Sequence, residues 1–204
     1  MDRKQKGFTL IEILVVVTII GVLAGLVVVL IPRGQFEAQK TDCMNNVKQV
    51  VGLLEVGSAT SYPKFRGPNL LLYLVKKGDL VGEDSLKLLF CPGDTHESYQ
   101  QAGGADAYKD IDTKRQGEYD HLTSYAGRDQ LNGSCAAKKG SAEAKVLICD
   151  DSEDHHDKKG FVVGLTGGAV KWRHKVDDYG LNHDAAVAIG EGSAVEELNC
   201  LRVD

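Results

Sequence analysis

The sequence predicts an α+β protein in which a long N-terminal helix, spanning a membrane and continuing as a spine, carries a small antiparallel sheet. Three observations lead there: an unbroken apolar run from Ile13 to Ile31, an amphipathic stretch from Thr41 to Glu55, and short apolar segments between residues 145 and 174 punctuated by glycines. With 204 residues, 43% of them hydrophobic, the chain can bury one modest core. Its formal charge of −5 and pI near 5.7 leave no basic stripe for a nucleic acid.

The first helix is set by hydrophobicity and length. Nineteen consecutive residues from Ile13 to Ile31 carry no charge. As a helix, residues 8–31 would extend roughly 36 Å at about 1.5 Å per residue, enough to cross a bilayer. Arg3, Lys4 and Lys6 precede the run and Arg33 is the one basic residue close behind it, which predicts a cytoplasmic N-terminus and an extracytoplasmic remainder. Gly21 and Gly25 form a small-xxx-small pair suited to close helix approach. Pro32 lacks a backbone N–H and is expected to kink or end the membrane span.

Glu12 is the anomaly in this segment. An ionisable residue in a membrane helix costs a few kcal/mol and is normally functional and paired. In the first helical turn the macrodipole also favours its negative charge. A plain signal anchor whose Glu12 snorkels to the interface is the simpler alternative.

Beyond the membrane, Val47, Val50, Val51 and Leu54 recur at helical spacing, with Cys43 and Met44 one turn earlier. Gly57, Ser58 and Ser61 interrupt that pattern, and Tyr62-Pro63 begins an irregular connection. A short helix is expected from Asn69 to Lys77, stopped by Gly78. Phe161 to Leu165 and Ala169 to His174 read as a hairpin turning at Thr166-Gly167-Gly168, and Lys145 to Cys149 supplies a third strand. One face of that sheet would lie on the spine. Ser193 and Glu196 have capping-box spacing before a short C-terminal helix.

The order Lys6, Gly7, Phe8, Thr9, Leu10, Ile11, Glu12 after a short basic leader resembles the processing motif of type IV prepilins and pseudopilins. The resemblance implies cleavage after Gly7 by prepilin peptidase and N-methylation of Phe8. It also implies that Glu12 neutralises the terminal amine of a neighbouring subunit and sets the register of a helical filament. Pilins commonly carry a proline a few residues before the position of Pro32. Further segments, Cys43 to Gln49, Phe90-Cys91-Pro92-Gly93-Asp94 and Ser124-Tyr125-Ala126-Gly127, resemble the pseudopilin-like group known by its H-X9-DG motif, which is similar to type II secretion system protein G. That motif falls on His156 and Thr166-Gly167, with threonine where aspartate is expected. Residues after about 174 show no such likeness.

The implied organisation is a cytoplasmic leader over 1–7, a transmembrane helix over 8–31, a periplasmic half of the spine over 32–57, a pilin-like α+β domain over 58–176 and an extension over 177–204. The implied location is the bacterial inner membrane, in a single pass with the C-terminal domain periplasmic, or a pseudopilus or pilus. Implied partners are the prepilin peptidase, other pilins or pseudopilins and an inner-membrane assembly platform. A processed, membrane-anchored binding module that does not polymerise is the alternative.

Five cysteines without a C-x-x-C argue against a zinc ribbon or thioredoxin-like site. Because the spine and the start of the sheet layer are neighbours in pilin-like folds, Cys43 and Cys91 are the expected disulfide. The alternative is that all five are small buried hydrophobes. The acidic stretch DDSEDHHD offers Asp150, Asp151, Glu153, Asp154 and Asp157 around two histidines, enough oxygens for Ca2+ and with precedent among major pseudopilins, although it is not an EF-hand. A solvated acidic turn is the simpler reading. No G-x-S-x-G, Walker or complete dinucleotide motif occurs, and Gly190-Glu191-Gly192 lacks the third glycine, so no enzyme is expected.

Overall fold

A computed structural model describes residues 8–57, 60–94, 98–112, 119–150, 156, 158–182 and 185–203. The chain divides into two compact units, residues 1–38 and 39–204. The described part of the first is helical from Leu10 and exposes apolar side chains, Phe8 to Val27 and Ile31 among them. Helix α1, Leu10–Val56, contains the one segment among the described residues long and apolar enough to cross a membrane, and none of that segment is buried within the chain.

Pro32 lies inside α1 without ending it. A proline removes one backbone donor and crowds the preceding turn, a cost of about 3 kcal/mol. Flanking turns carry the helix past it, so of the two expected outcomes, a kink or an end, the helix does not end there.

In the second unit, hydrophobic periodicity decides the packing. Cys43, Val47, Val50, Val51 and Leu54 are all buried along one face of α1. Helix α2, Pro68–Lys77, starts with proline in its first turn and stops at Gly78, whose left-handed φ of 87° lets its N–H reach the Leu74 and Val75 carbonyls. Its buried leucines 70, 71, 72 and 74 join the same core. A one-turn helix α3, Glu83–Leu86, follows.

The sheet has five antiparallel strands in the order β4-β3-β2-β1-β5: β1 Tyr125–Arg128, β2 Val146–Asp150, β3 Gly160–Leu165, β4 Val170–His174 and β5 Leu201–Arg202. Alternation along β3 sends Phe161, Val163 and Leu165 to one face and Val162 to the other. The face holding Val162 packs on α1, where Gly164 makes the contact close. A Cβ on Gly164 would come within 2.4 Å of Val51 and 2.9 Å of Val47. The opposite face is covered by Val187, Val195, Leu198 and Leu201. The segment after helix α4, Lys175–Tyr179, thus closes a second core.

The expected hairpin is present. Gly167 and Gly168 take positive φ of 83° and 82°, and Leu165 N–H donates to the Ala169 carbonyl at 2.8 Å. Thr166 contributes a clasp that threonine can make: its Oγ1 accepts from Lys145 N–H at 3.0 Å and its own N–H donates to the Lys145 carbonyl at 2.9 Å. From α1, Glu55 accepts from Gly167 N–H at 2.6 Å and from the Tyr62 hydroxyl, tying the helix end to the turn.

The disulfide differs from the one expected. Cys135 bonds to Cys200, while Cys43, Cys91 and Cys149 stay as buried thiols. Strand pairing is the reason. Gly127 and Arg128 of β1 face Arg202 and Leu201 of β5, and Cys200, just before β5, meets Cys135 in the loop after β1 at a Cα separation of 5.2 Å. Non-reducing peptide mapping should recover a Cys135–Cys200 crosslink. Replacing both cysteines by serine should lower unfolding stability by roughly 2–4 kcal/mol, measured by denaturant titration of the full chain in detergent.

Candidate functional site

The helix start has a geometry that explains part of Glu12. Thr9 precedes the first helical residue, and both its backbone N–H and its hydroxyl donate to Glu12 Oε2 at 2.7 Å. The Glu12 N–H faces Thr9 Oγ1 at 3.4 Å. This is a capping box, in which two side chains at N-cap and N3 reciprocally satisfy otherwise orphaned donors. Its signal in the sequence is the T-x-x-E spacing of Thr9 and Glu12, which the charge of Glu12 alone does not convey. Phe8 sits at this exposed end, and Gly7 lies outside the described residues.

A second constellation lies within the unit of residues 39–204. Cys43 comes from α1, Cys91 from the loop after α3, Asp150 from the end of β2 and His156 from the turn before β3. All four are buried, and one ligating atom from each lies within 4.8 Å of the others. Cys43 Sγ is 3.2 Å from Asp150 Oδ1 and 3.5 Å from the Tyr125 hydroxyl. Cys91 Sγ is 3.3 Å from His156 Nε2, which in turn lies 3.5 Å from Asp150 Oδ2. Val162 N–H donates to Asp150 Oδ2 at 2.7 Å and fixes the carboxylate.

Local structure aims these groups. His156 adopts a left-handed φ of 64°, uncommon for a residue with a Cβ. Its ring meets Trp172 edge to face at a centroid distance of 5.3 Å. Gly93 makes room on the other side, since a Cβ there would stand 3.2 Å from the ring. Asn46 donates to the Phe90 carbonyl at 3.0 Å and anchors the loop that presents Cys91.

Burial pushes the Cys43 thiol well above its ordinary range, reinforced by its contact with Cys91 and by the charge of Asp150. The Tyr125 hydroxyl moves the same way, through burial first and then through Cys43, Cys91 and Asp150. At His156 burial disfavours the imidazolium, but hydrogen bonding and charge from Asp150 and Cys91 outweigh it and raise the pKa to about 9. Raised in this way, Cys43 favours its thiol form and His156 its imidazolium.

Of the residues expected to hold Ca2+, Asp150 faces inward to this cluster, whereas Asp151, Glu153, Asp154 and Asp157 lie outside the described residues. Cys43 and Cys91 do come together, though as thiols and in company with Asp150 and His156. Sequence spacing could not reveal the set, because its members come from segments up to 113 residues apart, Cys43 to His156, and no short motif joins all four.

The family described as the prokaryotic N-terminal methylation motif matches residues 2–28. The type II secretion system core protein G of Dickeya chrysanthemi is 47% identical over 53 residues, covering 26% of this chain and 33% of that protein. The protein of the same name from Pseudomonas aeruginosa is 37% identical over 75 residues, 37% of this chain and 53% of that protein. The chain therefore spans about a third to a half of the length of these curated relatives. No solved structure matches it. The methylation motif and these relatives support a pseudopilin-like reading of the chain.

Thiol labelling checks the cluster. In the native chain Cys43, Cys91 and Cys149 should resist alkylation because all three are buried. In denaturant without reductant each should take one label. Failure of Cys43 and Cys91 to label under those conditions would mean that they are bridged.

Proposed function

We propose that the chain is a non-enzymatic structural subunit of a pilin-like filament, a type II secretion pseudopilin or a minor type IV pilin. It is cleaved between Gly7 and Phe8 by prepilin peptidase, N-methylated on Phe8 and assembled with like subunits through α1 at the inner membrane. The observation that carries this reading is the exposed apolar helix headed by Phe8, Thr9 and Glu12, with the methylation motif matched over the same residues. A helix with no part of its apolar window buried in its own chain needs another apolar environment. Lipid supplies it before assembly and neighbouring helices supply it afterwards. The two secretion proteins of the same name support the same reading.

In this scheme Glu12 has two tasks. Its carboxylate caps the helix through Thr9, and its charge pairs with the amine that cleavage creates on Phe8 of a neighbour. Substitutions separate them. Glu12→Gln keeps a side-chain oxygen for the cap and loses the charge, whereas Glu12→Ala loses both. Both variants should insert and be cleaved, because the Gly7–Phe8 bond is untouched and a membrane helix gains by losing a charge.

Intact mass of membrane-purified protein should show loss of seven residues and gain of one methyl group. Incorporation into detergent-resistant filaments should fall sharply for Glu12→Gln as well as Glu12→Ala, since an unpaired buried amine costs about 3–5 kcal/mol. Full incorporation of Glu12→Gln would assign the residue to capping alone. Correct processing with no filament from the unaltered chain would favour the anchored module that does not polymerise.

A further inference from the structure

We infer that Cys43, Cys91, Asp150 and His156 form a closed binding site for one divalent ion of the zinc class, which fastens the 43–54 segment of α1 to the sheet. The inference is independent of whether the chain polymerises, since every ligand lies in the unit of residues 39–204.

The donor set is the first argument. Two sulfurs, an imidazole and a carboxylate make the mixed N, S and O tetrahedron that zinc accepts, and four protein ligands are the mark of a structural rather than a catalytic ion. Calcium prefers six to eight hard oxygens and finds one carboxylate here.

Geometry is the second. Donors about 2.0–2.3 Å from a common ion stand about 3.3–3.8 Å apart in a tetrahedron. The contacts of 3.2, 3.3 and 3.5 Å among these groups are already near those edges, and all four donors fit within 4.8 Å. The supporting shell is in place as well. Val162 N–H holds the carboxylate and the Tyr125 hydroxyl faces Cys43 Sγ, while Gly93 and Trp172 position the imidazole ring. Cys91 also lines a cavity of about 370 Å³ with Asn46, Pro92 and Tyr99.

The third argument is cost. Asp150 already has the Val162 N–H and the His156 ring beside it, and the Cys43 thiol adds only a weak donor to that carboxylate. Serine or threonine would serve a hydrogen-bond network better than Cys43 does. Sulfur at both positions is explained when it binds metal as thiolate: the two thiols and the imidazolium release their protons, and the ion supplies the positive charge opposite Asp150.

The test uses the full chain purified in detergent with neither metal nor chelator added. Plasma mass spectrometry should find zinc equimolar with protein, and Cys43→Ser, Cys91→Ser and His156→Gln should each lose it. Since those variants can fail to fold, the unaltered chain is also stripped with chelator under reducing conditions and titrated with Co2+. A thiolate-to-cobalt charge-transfer band should grow and saturate at one equivalent. Cys149→Ser, which removes a buried thiol outside the cluster, should give the same band. The inference is overturned by a metal-poor chain that gives no band, by a Cys43–Cys91 disulfide in the purified protein, or by a band that survives loss of both Cys43 and Cys91.

Discussion

The packing of one helical stripe against one sheet face organises residues 39–204. Cys43, Val47, Val50, Val51 and Leu54 bury the inner face of α1, and each large apolar side chain fully withdrawn from water contributes about 1.5–3 kcal/mol. The stripe reaches the sheet because Gly164 has no side chain. Once the helix is seated, Glu55 at its end fixes the turn at Gly167, and the turn fixes the pairing of β3 with β4. With the α1 side of the sheet filled, the alternate residues Phe161, Val163 and Leu165 face the other way, and the C-terminal segment covers them.

That dependence explains which parts were legible in the sequence. The stripe could be read because helical periodicity is a local property, and so could α2, bracketed by Pro68 and Gly78. The β3–β4 hairpin announced itself through two apolar runs and two glycines. Strands β1 and β5 did not. Tyr-Ala-Gly-Arg and Leu-Arg have no alternation long enough to register, and they are strands because partners on the sheet edge make them so. The disulfide depends on that same pairing. No rule of spacing could have chosen Cys135 and Cys200 in advance.

The stretch DDSEDHHD shows why composition misleads about a site. Read as one unit it is an acidic, solvated turn. In the structure its first residue is the last of β2, where strand alternation and the pairing of Asp150 with Tyr125 turn the carboxylate into the core. His156 enters the same space through its left-handed backbone. Two residues of a polar run thereby become buried members of the cluster. The cysteines they meet are the two that a pilin-like fold predicts to be neighbours, and here they are thiols.

Glu12 shows that one carboxylate can serve a helix start and an assembly together. Both Thr9 bonds go to Oε2, so Oε1 takes no part in the cap. A carboxylate offers about four lone-pair sites, and the cap uses two of them. The capped rotamer also removes side-chain freedom that a later ion pair would otherwise have to restrict. The macrodipole stabilises the same negative charge at this end. In the proposed filament the carboxylate would therefore meet the incoming amine already oriented. Threonine at position 9 is part of that arrangement, because without its two donors the glutamate would have to be held by the partner alone.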